Sequence, residues 1–129
     1  CIGGLVAITA EPLMPSPLAA ILIGAVGGVI VVYGTKLLFT LKIDDVVGAI
    51  PAHLFAGIWG TLAVPITNPD TSFGTQLLGV LSINIFVFVV ALIVWAIVKS
   101  TIGIRLSKEA ETKGTGVTET GVIAYAIRD

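Results

Sequence analysis

His53 is the only histidine in the 129 residues, and it stands inside an apolar stretch, Val46 to Gly60, headed by Asp44 and Asp45. Imidazole is the side chain that exchanges a proton near neutral pH without special tuning. An ionisable group within an apolar, membrane-length segment is costly enough to mark a functional position by default. One reading therefore puts His53 on a conduction path; the other makes it a structural hydrogen-bonding residue against a neighbouring helix. The residues alone leave the two level. No Cys, Asp or Glu stands at ligand spacing from His53, so a metal centre is not expected. There is no Ser/His/acid set, no phosphate-binding glycine loop and no carboxylate pair in an apolar site, which speaks against an enzyme and against a cofactor. Asp44 and Asp45 read as the N-terminal carboxylates of the helix that carries His53, where the helix dipole favours negative charge.

A segment of this kind needs a bilayer around it, and the composition supplies the reason to expect one. Hydrophobic residues make up 56% of the chain, charged residues 12%, and the mean hydropathy is +1.07. Soluble domains carry roughly a quarter charged residues. The expectation is an integral membrane protein in contact with lipid. A net charge of -1 gives no footprint for nucleic acid, and one cysteine excludes a disulfide framework within the chain.

The elements follow from apolar runs and their punctuation. Residues 1–10 are small and apolar, begin without methionine, and read as the end of a transmembrane helix cut upstream. Residues 11–17 contain Pro12, Pro15 and Pro17 and form an extracytoplasmic loop, with Ser16 and Pro17 suited to cap and start the next helix. A first full span covers 17–38, with Gly24 and Gly28 spaced for close helix approach. A short cytoplasmic loop, 39–45, leads to a second span over 46–64. A loop at 65–75, extracytoplasmic again, precedes the third span, 76–102, whose main polar residues are Asn84 and Ser82. Residues 103–129 form a polar tail, with Ser107 placed to cap a short helix over Lys108 to Lys113 and Glu109 spaced to pair with Lys113. Lys36 and Lys42 lie in one connection, and Lys99, Arg105, Lys108, Lys113 and Arg128 follow the third span. The positive-inside rule makes that connection and the C-terminus cytoplasmic.

At 100° per residue, Ala49, Ala52, His53, Ala56, Gly57 and Gly60 share one half of the second span with Gly48 and Trp59. Val47, Ile50, Leu54, Ile58, Thr61 and Leu62 take the other half. Small residues mark the tightly packed face in a membrane, so His53 is expected to face the protein interior. Pro51 within such a helix would free the Val47 carbonyl and favour a kink or polar cavity beside His53.

Asp44-Asp45, His53 and Gly57-Ile58-Trp59-Gly60 together resemble the histidine-bearing tenth helix of the ammonium transporter family of Amt, Mep and Rh proteins. Gly4-Leu5-Val6-Ala7-Ile8-Thr9 resembles that family's eighth helix. Gly103-Ile104-Arg105-Leu106 with Glu109, Glu111, Gly114 and Ala124-Tyr125 resembles its C-terminal tail. The resemblance implies an all-α polytopic bundle, the C-terminal part of an eleven-helix inverted-repeat channel that assembles as a homotrimer in the plasma (inner) membrane. It implies that ammonium is deprotonated and passes as ammonia through a hydrophobic pore with a histidine pair, of which His53 is one member. Ala49 corresponds to a pore-lining position, and Gly57, Trp59 and Gly60 to packing near the pore. The implied partner at the cytoplasmic tail is a PII-type signal protein; the alternative function is an ammonium sensor that signals through this tail without flux. The sequence departs from the family's commoner pattern at Gly48, where an acidic residue is usual, at Ile50 (phenylalanine) and at Leu54 (glycine). In the tail it departs at Gly116 (aspartate), Thr120 (histidine) and Val122 (glutamate).

Overall fold

The computed structural model describes residues 1–121, and the tail positions Val122, Ala124, Tyr125 and Arg128 lie outside them. The described residues are helical, with α1 at Ile2–Ile8, α2 at Pro17–Leu41, α3 at Ile50–Thr67, α4 at Phe73–Thr101 and α5 at Lys108–Lys113. Within α3, Ile50–Phe55 is wound as a π-helix and Ala56–Thr67 as an α-helix. A second π-helical turn spans Gly116–Thr120. The chain divides into two compact units, Cys1–Phe86 and Val87–Asp129, with the division inside α4.

Among the described residues, three helices are long and apolar enough to cross a membrane: α2 with 25 residues, α3 with 18 and α4 with 29. At about 1.5 Å per residue they reach about 37, 27 and 43 Å, against a hydrocarbon core of about 30 Å. Each start has a local cause. Ser16 accepts a hydrogen bond from the Ala19 N–H at 3.3 Å, and Pro17 occupies the first helical position, where no N–H is needed. At the other end of α2, Lys42 takes a left-handed conformation, φ 57°, while the Lys42 and Ile43 N–H groups close back on the Phe39 and Leu38 carbonyls. This pair of bonds stops the helix and satisfies two of its last carbonyls.

In the first unit, α1 and α2 meet through glycine. Gly4 and Gly24 approach so closely that a Cβ on Gly4 would sit 3.0 Å from the Gly24 carbonyl oxygen. A Cβ on Gly27 would sit 2.6 Å from the Ala7 Cβ. Gly28 faces open space, so the pair that admits α1 is Gly24 with Gly27 rather than Gly24 with Gly28. The buried stripe of α2 is Ile23, Gly27, Gly34 and Leu38, spaced to hold one helix face. Ala7, Ile23 and Ala63 form a core where α1, α2 and α3 converge, with Ile8 and Trp59 packed against it. The Trp59 indole donates from Nε1 to the Ile23 carbonyl at 3.0 Å, which ties α3 to α2 across the apolar interior. No residue of α4 is buried.

In the second unit, Ser107 caps α5 by accepting from the Ala110 N–H at 3.2 Å, and Gly114 ends it. The ion pair that forms is Arg105 with Glu111, Nε to Oε1 at 2.6 Å, in place of the Glu109–Lys113 pair that the spacing suggests. The second guanidinium contact, Nη2 to Oε2 at 3.2 Å, explains the preference: Arg presents a fork that a carboxylate accepts with both oxygens.

Candidate functional site

The helix that carries His53 starts later than the apolar run does. Residues Val46 and Val47 lie in an exposed turn, and Asp45 organises it. Its carboxylate accepts from the Ala49 N–H at 2.9 Å and the Ile50 N–H at 2.8 Å, while its carbonyl accepts from the Gly48 N–H at 3.1 Å. Gly48 has φ +69°, a conformation that only glycine adopts without strain. Asp45 thus holds two of the orphan donors at the head of α3. Asp44 is exposed and lines a separate cavity of about 480 Å³ with Lys42 and Phe39. Although this cavity is the larger one, the Asp45 carboxylate at its edge is already committed to the cap.

Because α3 begins at Ile50, Pro51 falls in its first turn, where the missing N–H interrupts no helical bond. The kink expected from a freed Val47 carbonyl therefore does not arise. Instead the chain winds directly into the π-helical turn, in which the Ala56 N–H bonds back to the Pro51 carbonyl. An i→i+5 bond spreads one turn over more residues than 3.6, so directions counted at 100° per residue drift through this segment. Pro51 is fully buried, and Gly34 makes room for it: a Cβ there would lie 3.0 Å from the Pro51 Cβ and 2.7 Å from the Phe55 ring.

That drift separates residues that a regular wheel puts together. Pro51, Ala52, Ala56, Gly60, Ala63 and Val64 form the buried face of α3. Gly60 backs directly onto the Ala7 carbonyl. His53 does not share this face: it is exposed, as is Leu54, and both border a groove of about 310 Å³. The α3 wall of the groove is His53, Leu54, Gly57, Ile58 and Thr61. The other wall is Gln76, Gly79, Val80, Ile83 and Asn84 of α4. Ala49 lies outside it, exposed in the Asp45-capped turn. Of the residues singled out from the sequence, His53 and Gly57 therefore meet in one place. Trp59 and Gly60 belong to the packed side, and Asp45 sets the start of the helix.

The polar members opposite His53 are partly buried Gln76 and Asn84. Asn84 stands out in the sequence as a polar residue in the third span; Gln76 and Thr61 do not. Their signal is an eight-residue spacing shared by Gln76 and Asn84 on α4 and by His53 and Thr61 on α3, about two helical turns in each case. Ser82, equally polar, donates its hydroxyl to the Leu78 carbonyl at 2.7 Å and takes no part in the groove. Among the described residues no three His, Cys, Asp or Glu side chains converge as a metal site would require.

Comparison with known proteins adds the context for this groove. Residues 1–125 match the model of the Ammonium Transporter Family. The chain is 38% identical to the ammonium transporter Amt2 of Archaeoglobus fulgidus, an alignment that covers 96% of this chain and 31% of that protein. It is 39% identical to a putative ammonium transporter of Synechocystis, over 93% of this chain and 28% of the relative. It is 31% identical to an ammonium transporter of Bacillus subtilis, over 96% and 35%. The chain thus spans about a third of the length of the curated relatives it matches. No solved structure matches it significantly.

Proposed function

Because this chain belongs to the ammonium transporter family, we propose that it forms part of a subunit that conducts ammonium as ammonia across a membrane, with His53 on the path. The observation that carries the reading is the position of His53. Its imidazole borders an otherwise largely apolar groove and has no hydrogen-bond partner among the described residues.

The chemistry follows from the cost of charge in an apolar medium. A charged side chain at the bilayer centre costs about 2.5–3.5 kcal/mol on insertion scales and more by other measures. Ammonium that gives up its proton before the apolar section avoids this penalty. Ammonia then passes as a small neutral molecule, and an imidazole can accept or donate a hydrogen bond to it and relay the proton. A second histidine, from the remainder of the subunit, completes the pair. The relatives are named as transporters, and nothing in this scheme requires bond-breaking beyond proton transfer.

The same reading assigns the surroundings. The subunit would assemble as a homotrimer in the plasma (inner) membrane, in contact with lipid. Lys36 and Lys42 at one end of α2, with Lys99, Arg105, Lys108 and Lys113 after the third span, support a cytoplasmic C-terminus. Residues 103–129 would then be available to a PII-type signal protein.

Flux of ammonium into liposomes carrying the complete protein tests the proposal, with a His53→Ala variant alongside. Saturable flux that falls at least about tenfold in the variant is expected, since one hydrogen-bonding group to the permeant is lost. Unchanged flux in the variant would remove His53 from the path. Ammonium binding without flux in the intact protein would favour a sensor that signals through the tail.

A further inference from the structure

Glycine seats α3 at two points on its packed side. Gly60 backs onto the Ala7 carbonyl of α1, and Gly34 of α2 faces the π-helical turn. Between them the Trp59 indole, bonded to the Ile23 carbonyl at 3.0 Å, fixes the height of the helix. A Cβ on Gly34 would lie 2.7 Å from the Phe55 ring and 3.0 Å from the Pro51 Cβ, inside the about 3.5–4.0 Å at which carbon atoms attract. Pro51 is fully buried, and its ring is bonded to its own backbone, so it cannot swing aside without moving the turn.

The winding of this turn decides which residue joins the packed face. At 100° per residue, Pro51 would stand about 140° from Ala56 and His53 only about 60° from it. The bond from the Ala56 N–H to the Pro51 carbonyl reverses that order, since a turn closed between i and i+5 advances less per residue. Pro51 is brought nearly under Ala56 and both are buried, while His53 is carried away from Ala56 and into the groove shared with α4. Gly34 meets the two residues of the turn, Pro51 and Phe55, that flank His53 on the packed side.

We infer that Gly34 is a positioning residue for His53: by admitting Pro51 and Phe55 it holds the π-helical turn whose winding aims the imidazole into the groove. This rests on the transport reading above and deepens it. Gly34 touches neither the groove nor His53. Its influence passes through the rigid Pro51 ring, and alanine in its place must displace the turn by about half an ångström. A misplacement of 1 Å can cost about a hundredfold in rate, so a shift of half that size is expected to cost about tenfold.

The test uses the complete protein in liposomes and compares ammonium flux in wild type, G34A, H53A and G34A/H53A. G28A is the control, because a Cβ on Gly28 meets nothing within 4 Å. Flux is expected to fall about tenfold in G34A and to stay within about twofold of wild type in G28A. Adding G34A to H53A is expected to change flux less than about twofold, since two residues that act through one group do not add. A merely structural glycine would lower flux in both backgrounds alike; that result, or wild-type flux in G34A, would overturn the inference. If wild type shows no flux, or H53A leaves flux unchanged, the transport reading fails by itself. The imidazole resonances of the histidine-labelled protein, with His53 identified by its loss in H53A, then decide the positioning role. A His53 signal that shifts in G34A and not in G28A supports it, and one unmoved in G34A overturns it. Should G34A fail to fold, the milder F55L, which replaces the flat ring against Gly34 by a branched chain, carries the same comparison with an expected loss of about threefold in flux.

Discussion

On one side of α3, Ala52, Ala56, Gly60 and Ala63 lie against α1 and α2 so closely that Gly60 touches the Ala7 backbone. On the other side, His53, Gly57 and Thr61 border about 310 Å³ of open volume. Both faces are rich in small residues, yet they do opposite things with the space. On the closed face, removing side chains brings backbones together, and helix association in an apolar solvent is driven by such packing. On the open face glycine leaves room that no helix among the described residues fills. The difference lies in what accompanies the glycines: apolar Ala7, Ile23 and Ala63 on one side, and His53, Thr61, Gln76 and Asn84 on the other. Small residues alone do not say which of the two a helix face will be.

The largest expected effect comes from adding a side chain to the closed face. Gly60→Leu must displace the Ala7 backbone and should cost about 3 kcal/mol or more. Thermal unfolding of the purified protein in detergent would show it as a large loss of stability or of folded yield. A variant as stable as wild type would mean that α1 and α3 are not packed as described.

A smaller effect is expected where the two faces are oriented. Asp45→Ala releases the Ala49 and Ile50 N–H groups and should cost about 1 kcal/mol, as loss of a helix cap does. Because the same cap sets where the π-helical turn begins, hydrogen exchange at Ile50 to Phe55 should quicken while the Gly27–Ala7 contact stays protected. Equal acceleration at both places would indicate that the two faces are not independent.

The smallest effect separates the closed face from the tail. Arg105 holds the Glu111 carboxyl below the usual carboxylate range, first through their hydrogen bonds and then through charge. A carboxyl lowered in the folded state contributes stability above its unfolded pKa and loses it as pH falls through the folded one. Both partners are exposed, so the effect is screened. Acidification below the ordinary carboxylate range should loosen α5, read from backbone chemical shifts, and Glu111→Gln should abolish that response. The closed face contains no ionisable side chain, and its stability should not follow this titration.

Part of this arrangement is legible in the sequence. Three apolar runs interrupted by prolines and charges announce an all-helical membrane protein, and the order of the His53 and glycine motifs announces the family. Ser16 before Pro17 marks a helix start because a hydroxyl acceptor and a residue without an N–H are what that position needs. The direction of His53 was not legible. A wheel at 100° per residue groups it with Ala52 and Ala56, and the π-helical turn that separates them has no simple sequence signal. Gly24 offers Gly28 at i+4 and Gly27 at i+3 as equal partners, and only the crossing of α1 selects Gly27. Thr61 and Gln76 carry no signal of a site in the sequence, since single polar residues near the end of a span are ordinary there. Only the groove between α3 and α4 brings them to one place.

The central claim is that the open face is kept open for a permeant, and the same substitution that destroys the closed face tests it. A Cβ on Gly79 meets nothing within 4 Å, so a leucine there enters the groove without displacing backbone. Ammonium flux through the complete protein carrying Gly79→Leu, measured in liposomes beside its thermal stability, should fall at least about tenfold while stability stays within about 0.5 kcal/mol of wild type, the range of substitutions that disturb no packed contact. Undiminished flux with the groove filled would contradict the account.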